Sequence, residues 1–69
     1  MITIEQIQKE LQKAIIQSGM SQTKIAEKIG VKQQQISSYL KGKTMPALDT
    51  LANLCVVLDL DANDILCIK

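Results

Sequence analysis

The stretch that decides the fold is Gln22-Thr-Lys-Ile-Ala26-Glu-Lys-Ile-Gly30-Val-Lys-Gln33-Gln-Gln-Ile36-Ser-Ser-Tyr39-Leu-Lys-Gly42-Lys43. Ala26 is small enough to sit where two short helices cross closely. Four residues on, Gly30 can take the positive φ of a tight turn with no Cβ in the way. Beyond that turn Val31, Ile36, Tyr39 and Leu40 are spaced to fold a second helix back onto the first. Ile25 and Ile29 complete the apolar wedge between them. A plain antiparallel helix pair would also want alanine and glycine near its turn, but here every constrained position is filled in register. The pattern is two short helices crossing through a tight turn.

The flanks extend the helical reading in both directions. Thr3 with Gln6 three residues on reads as a capping box, followed by Ile4, Ile7, Leu11 and Ile15 on one stripe, and Ser18-Gly19 ends that helix. Ser21 caps the second helix and Gly30 stops it. A third runs from about Lys32 to Lys41, with Gly42 as its stop. The run Lys43 to Pro46 is a loop, because a residue before proline avoids helical angles. Pro46 then opens a fourth helix with Leu48, Leu51, Leu54, Cys55 and Leu58 facing in. Asp61, with Asp64 three on, starts a last short helix holding Ile65 and Leu66. No segment alternates with period two, so strands are not expected.

Composition narrows the function. Sixty-nine residues make one domain at most, and a chain this short buries only about 60% of its unfolded surface. With no Phe, no Trp and one Tyr, the core must be Ile, Leu, Val and Ala. No run of about 18 apolar residues exists to span a membrane, and no signal-peptide pattern opens the chain. Cys55 and Cys67 stand 12 apart with no His anywhere. That is no metal-ligand set and a weak disulfide framework, which points to reduced thiols in a cytoplasm. No cofactor and no small-molecule ligand are expected. An enzyme is not expected either, because there is no nucleophile with a base beside it and no phosphate-cradling glycine loop.

The net charge of +1 conceals a division along the chain. Lysines 24, 28, 32, 41 and 43 face only Glu27, a local balance of +4, whereas Asp49, Asp59, Asp61 and Asp64 form a stretch of −4. The basic stretch is the candidate anion-facing surface. Charge alone would equally describe a solvated face, so the motif has to decide.

At this point the stretch Gln22 to Lys43 resembles the Cro/C1-type helix-turn-helix family of phage repressors and bacterial regulators, the XRE family. The continuation is similar too, through Pro46, then Leu51, Leu54 and Leu58, then the Leu60 to Leu66 segment. The resemblance implies an all-α, five-helix, lambda-repressor-like domain spanning residues 1–69. It also implies a third helix lying in the major groove of double-stranded DNA, and two copies on a two-fold operator. It implies a bacterial or phage-encoded source. Two positions depart from the family. Asp59 stands where a glycine usually follows the fourth helix, so that turn is expected to be built differently, and Lys41 replaces a common Asn. The chain stops at Lys69 just after the fifth helix, which is more like a small Cro-type protein, or an excised domain, than a full repressor.

Within such a motif the amino end of the recognition helix points at base edges. On a helical wheel with Ile36 at the centre of the buried face, Gln34, Ser38 and Lys41 fall near the opposite side, with Ser37 and Gln35 on the flanks. Gln33 and Gln34 are the leading candidates for base readout, since a glutamine amide can donate to N7 and accept from N6 of adenine. Ser37 and Ser38 follow, and Gln35 ranks lower. By resemblance, Gln22 contacts a backbone phosphate and braces Gln33; Lys32, Lys41 and Lys43 lie at the ends of the recognition helix and are expected to contact phosphates. The chain contains no arginine, so the common arginine-to-guanine contact is absent. Val56 and Val57 lie off the core stripe of the fourth helix, and with Ile65, Cys67 and Ile68 they suggest a homodimer surface. The rival reading is a helical adaptor or antitoxin-type partner that keeps the fold and binds protein.

Overall fold

A computed structural model describes residues 1–68. Five helices follow one another: α1 (Ile4–Gln17), α2 (Gln22–Ile29), α3 (Gln33–Leu40), α4 (Leu48–Val57) and α5 (Ala62–Ile65), with no strand among the described residues. The first helix starts where its capping box places it. Thr3 Oγ1 accepts from the Gln6 N–H at 3.3 Å, and Gln6 Oε1 accepts from the Thr3 N–H at 2.8 Å. Ser21 Oγ caps α2 through the Lys24 N–H at 3.1 Å, and Asp61 caps α5 through the Asn63 N–H at 2.9 Å.

Leu11, Ile25, Ile36 and Leu54, one from each of the first four helices, are the fully buried centre of the core. Ile15, Ala26, Tyr39, Leu51, Cys55 and Ile65 close around them. Helix α2 packs on α3 and α4, while α1 packs on α3 and α5. Helix α3 is thus gripped from two sides, which fixes its axis relative to the rest of the molecule.

Several expectations need correction. The fourth helix begins at Leu48 behind an Ala47 cap, so Pro46 lies outside the helix and does not open it. Leu48 is 84% exposed and Ile4 is 55% exposed, although both lie on stripes that face inward further along their helices. Each stands about a turn beyond the first residue of its helix that packs on the core, Ile7 in α1 and Leu51 in α4. Ile65 is 3% exposed and belongs to the core, so it cannot form part of a dimer surface. Leu66 caps α5 and lies just outside it. Asp59 does not require a differently built turn. It adopts a left-handed φ of 54°, and the Leu60 N–H closes onto Cys55 O at 2.8 Å, the hydrogen bond of a Schellman stop. Among the described residues, no helix is long and apolar enough to cross a membrane.

Candidate nucleic-acid interface

The turn between α2 and α3 is set by Gly30, whose φ of 76° is left-handed. Its N–H and that of Val31 both donate to Ala26 O, at 2.9 and 3.0 Å. A Cβ on Gly30 would meet nothing within 4 Å, so the requirement here is backbone conformation and not space. Ala26 is 3% exposed against α3, and a larger side chain would push the two helices apart.

The beginning of α3 is held by its own glutamines. Lys32 supplies no acceptor as a cap, but Gln35 Oε1 accepts from the Lys32 N–H at 3.1 Å. Gln35 is therefore occupied in starting the helix. Gln33 Nε2 donates to Gln22 Oε1, joining the amino ends of α2 and α3. That bond leaves on Gln33 one N–H and the carbonyl oxygen for a further partner, and on Gln22 the whole NH₂ group.

The far end of α3 is tied to α1. Gln8 Nε2 donates to Gly42 O at 3.3 Å, and a Cβ on Gly42, which has a φ of 71°, would stand 3.3 Å from Gln12 Nε2. This link between residues 34 apart could not be read from the sequence, because an exposed-looking glutamine on α1 carries no sign of its partner.

On the surface so built, Gln33 and Gln34 are exposed, Ser37 and Ser38 are half-buried, and Lys32, Lys41 and Lys43 are exposed. Gln22 is half-buried. Four-residue spacing sets Gln33, Ser37 and Lys41 in one row along α3, and Gln34 and Ser38 in the next. The second row borders a groove of about 340 Å³ between α3 and the start of α4, to which Tyr39, Thr44, Met45 and Thr50 also contribute. Wheel geometry assigned Tyr39 wholly to the core and gave no warning of this groove, because the loop from Lys43 to Ala47 that forms its other wall has no periodicity to read.

Elsewhere the chemistry is quiet. Cys55 and Cys67 are free thiols. Burial, and secondarily the Asp61 carboxylate, push the Cys55 thiol above its ordinary pKa, which disfavours the reactive thiolate. Among the described residues no three His, Cys, Asp or Glu side chains come together as metal ligands.

Five helices around a small aliphatic core, with α2 and α3 joined through a left-handed glycine, define a helix-turn-helix domain. The chain belongs to the Cro/C1-type helix-turn-helix family of DNA-binding regulators, whose model, described as helix-turn-helix, matches residues 11–65. That is a family of regulators and not of enzymes. No curated protein and no solved structure matches the chain.

Proposed function

We infer that the chain is a sequence-specific regulator of transcription, a Cro-like repressor, acting through α3 in the major groove of double-stranded DNA. The observation that carries this reading is the Gln33–Gln22 hydrogen bond. It orients a glutamine amide at the amino end of α3 while leaving free the donor and acceptor that the adenine edge requires. In this reading Gln33, Gln34, Ser37 and Ser38 read bases. Gln22, Lys32, Lys41 and Lys43 engage phosphates, with Gln22 helped by the unpaired N–H groups at the start of α2. One helix of eight residues spans too few base pairs to specify an operator, so two copies bind half-sites about one helical turn, roughly 34 Å, apart. In this reading residues 1–69 form one DNA-binding domain, and it works in a cytoplasm.

The test is competition binding on a randomised duplex library at several salt concentrations. The wild-type dimer should show a log–log salt slope on the order of −6 to −9, at about −0.9 per phosphate contacted. Gln33→Ala and Gln34→Ala should each weaken specific binding by about 1–3 kcal/mol and relax preference at one base pair. Their melting should stay near wild type, because exposed helix positions rarely matter by more than about 0.5 kcal/mol. Lys43→Ala should weaken all sequences alike and reduce the slope by about 1. If both glutamine variants keep wild-type base preference, α3 does not read DNA, and the adaptor or antitoxin-type reading takes its place.

A further inference from the structure

Tyr39 carries a polar group that neither the packing nor the base readout uses. It is 5% exposed and packs in the core, yet it lines the groove beside α3 together with Gln34, Ser38, Thr44 and Thr50. Its hydroxyl has no hydrogen-bond partner among the described residues. No buried side-chain nitrogen or oxygen is left unsatisfied among those residues either. The hydroxyl therefore meets solvent, and the groove is where Tyr39 does so.

A phenol held this tightly has little rotamer freedom left to lose on binding. Burial, and secondarily the Asp49 carboxylate, raise its pKa above the ordinary value, so at neutral pH it remains a donor. The Asp49 carboxylate is itself turned onto the Thr50 N–H at 2.9 Å. The groove thus presents several neutral hydroxyls from Ser38, Tyr39, Thr44 and Thr50, with Lys43 exposed next to Thr44 in the chain. Hydroxyl donors of this kind are regular partners of backbone phosphates in protein–DNA complexes. Gln34 and Ser38 form part of the same wall, so a duplex edge brought to them carries its backbone along the groove.

We propose that the groove between α3 and the start of α4 seats one backbone phosphate of the bound duplex, with the Tyr39 hydroxyl donating to it and Thr44 and Thr50 beside it. The proposal rests on the DNA-binding reading above and names a positioning residue for it. Because the donor is anchored in the core, the contact sets the register of α3 against the backbone without contributing to sequence preference.

Tyr39→Phe retains the ring and removes only the donor. It should bind both the duplex selected from the library and a mixed-sequence duplex about tenfold more weakly. Base preference should stay unchanged, and so should the salt slope, because no charge is lost. This separates it from Lys43→Ala. On the selected duplex carrying a methylphosphonate at the same position of both half-sites, stepped along the backbone, the advantage of wild type over Tyr39→Phe should vanish at one position and persist at the others. Wild-type affinity in the variant, a loss confined to one base pair, or an advantage that survives at every position would overturn the proposal. If Tyr39→Phe melts too low to be assayed, Thr44→Val on the exposed loop must show the same slope-neutral weakening at the same phosphate, and its failure to do so is equally decisive. A wild-type chain that binds neither duplex defeats the DNA reading, and this proposal with it, before any variant is compared.

Discussion

Asp59 occupies a backbone conformation that L-residues avoid, with a φ of 54°. Asp and Asn tolerate this region better than most residues, but glycine enters it without the Cβ clash. Asp59 also places a negative charge just past the carboxyl end of α4, where the helix dipole already presents negative charge. Both effects have the same sign. Asp59→Gly should stabilise the fold by about 0.5–1 kcal/mol, offset in part by the greater freedom of glycine in the unfolded chain. In a domain of this size that is a rise in Tm of roughly 2–6 °C, measured by thermal denaturation followed by circular dichroism. An unchanged or lowered Tm would mean that the aspartate earns its place through a contact outweighing the strain. The departure at Asp59 was visible in the sequence. That the backbone would keep the glycine's conformation was not, because the choice depends on Leu60 being drawn back toward the core, where it packs half-buried against the buried cluster.

At the level of elements, the helices differ in how well their starts are satisfied. Thr3, Ser21 and Asp61 each give α1, α2 and α5 a side-chain acceptor, whereas Ala47 gives α4 none. The Asp49 carboxylate partly substitutes by accepting from the Thr50 N–H, which leaves the earlier N–H groups of α4 to water. Ala47→Ser should therefore stabilise the protein by about 0.5–1 kcal/mol, toward the lower part of the range for capping substitutions because Asp49 already acts there. Denaturant unfolding should show a higher midpoint at unchanged m-value; no shift would indicate that Asp49 fully satisfies that end. Periodicity located all five helices because apolar residues recur on one face of each. It misplaced Leu48 and Ile4 because a stripe reports which face is apolar and not how far the core extends along it. Both residues continue their stripe past the end of the packed layers.

Across the whole molecule, lysines and aspartates are divided among the elements. Lys24 and Lys28 lie on α2, Lys32 and Lys41 flank α3 and Lys43 follows in the loop, with Lys9 and Lys13 on α1, while the aspartates lie on α4, α5 and the turn between them. Val56 is 79% exposed on α4 and Ile68 is 60% exposed at the end of the described chain, whereas Val57 is half-buried. Val56 and Ile68 remain as the candidate contact between two copies once Ile65 is assigned to the core. Val56→Glu should leave the melting of the monomer within about 0.5 kcal/mol of wild type, as expected of an exposed site. It should abolish cooperative binding to a duplex with two half-sites while sparing binding to a single half-site. Sedimentation with each duplex reads both outcomes, and retained two-to-one complexes would place the dimer contact elsewhere.

By itself the sequence determined the five helices, the left-handed turn at Gly30, the residues that make α3 and the division of charge. All of these follow from local rules, in which a residue's own chemistry and its neighbours within four positions suffice. Tertiary structure alone decided that Gln8 would hold the end of α3 and that Ile65 would be core. It also decided that Tyr39 would line a groove with its hydroxyl unpartnered. Each of these depends on residues far apart in the chain meeting at short range. Hydrogen bonds and burial are set by those meetings, and a pattern confined to one helix contains no record of them.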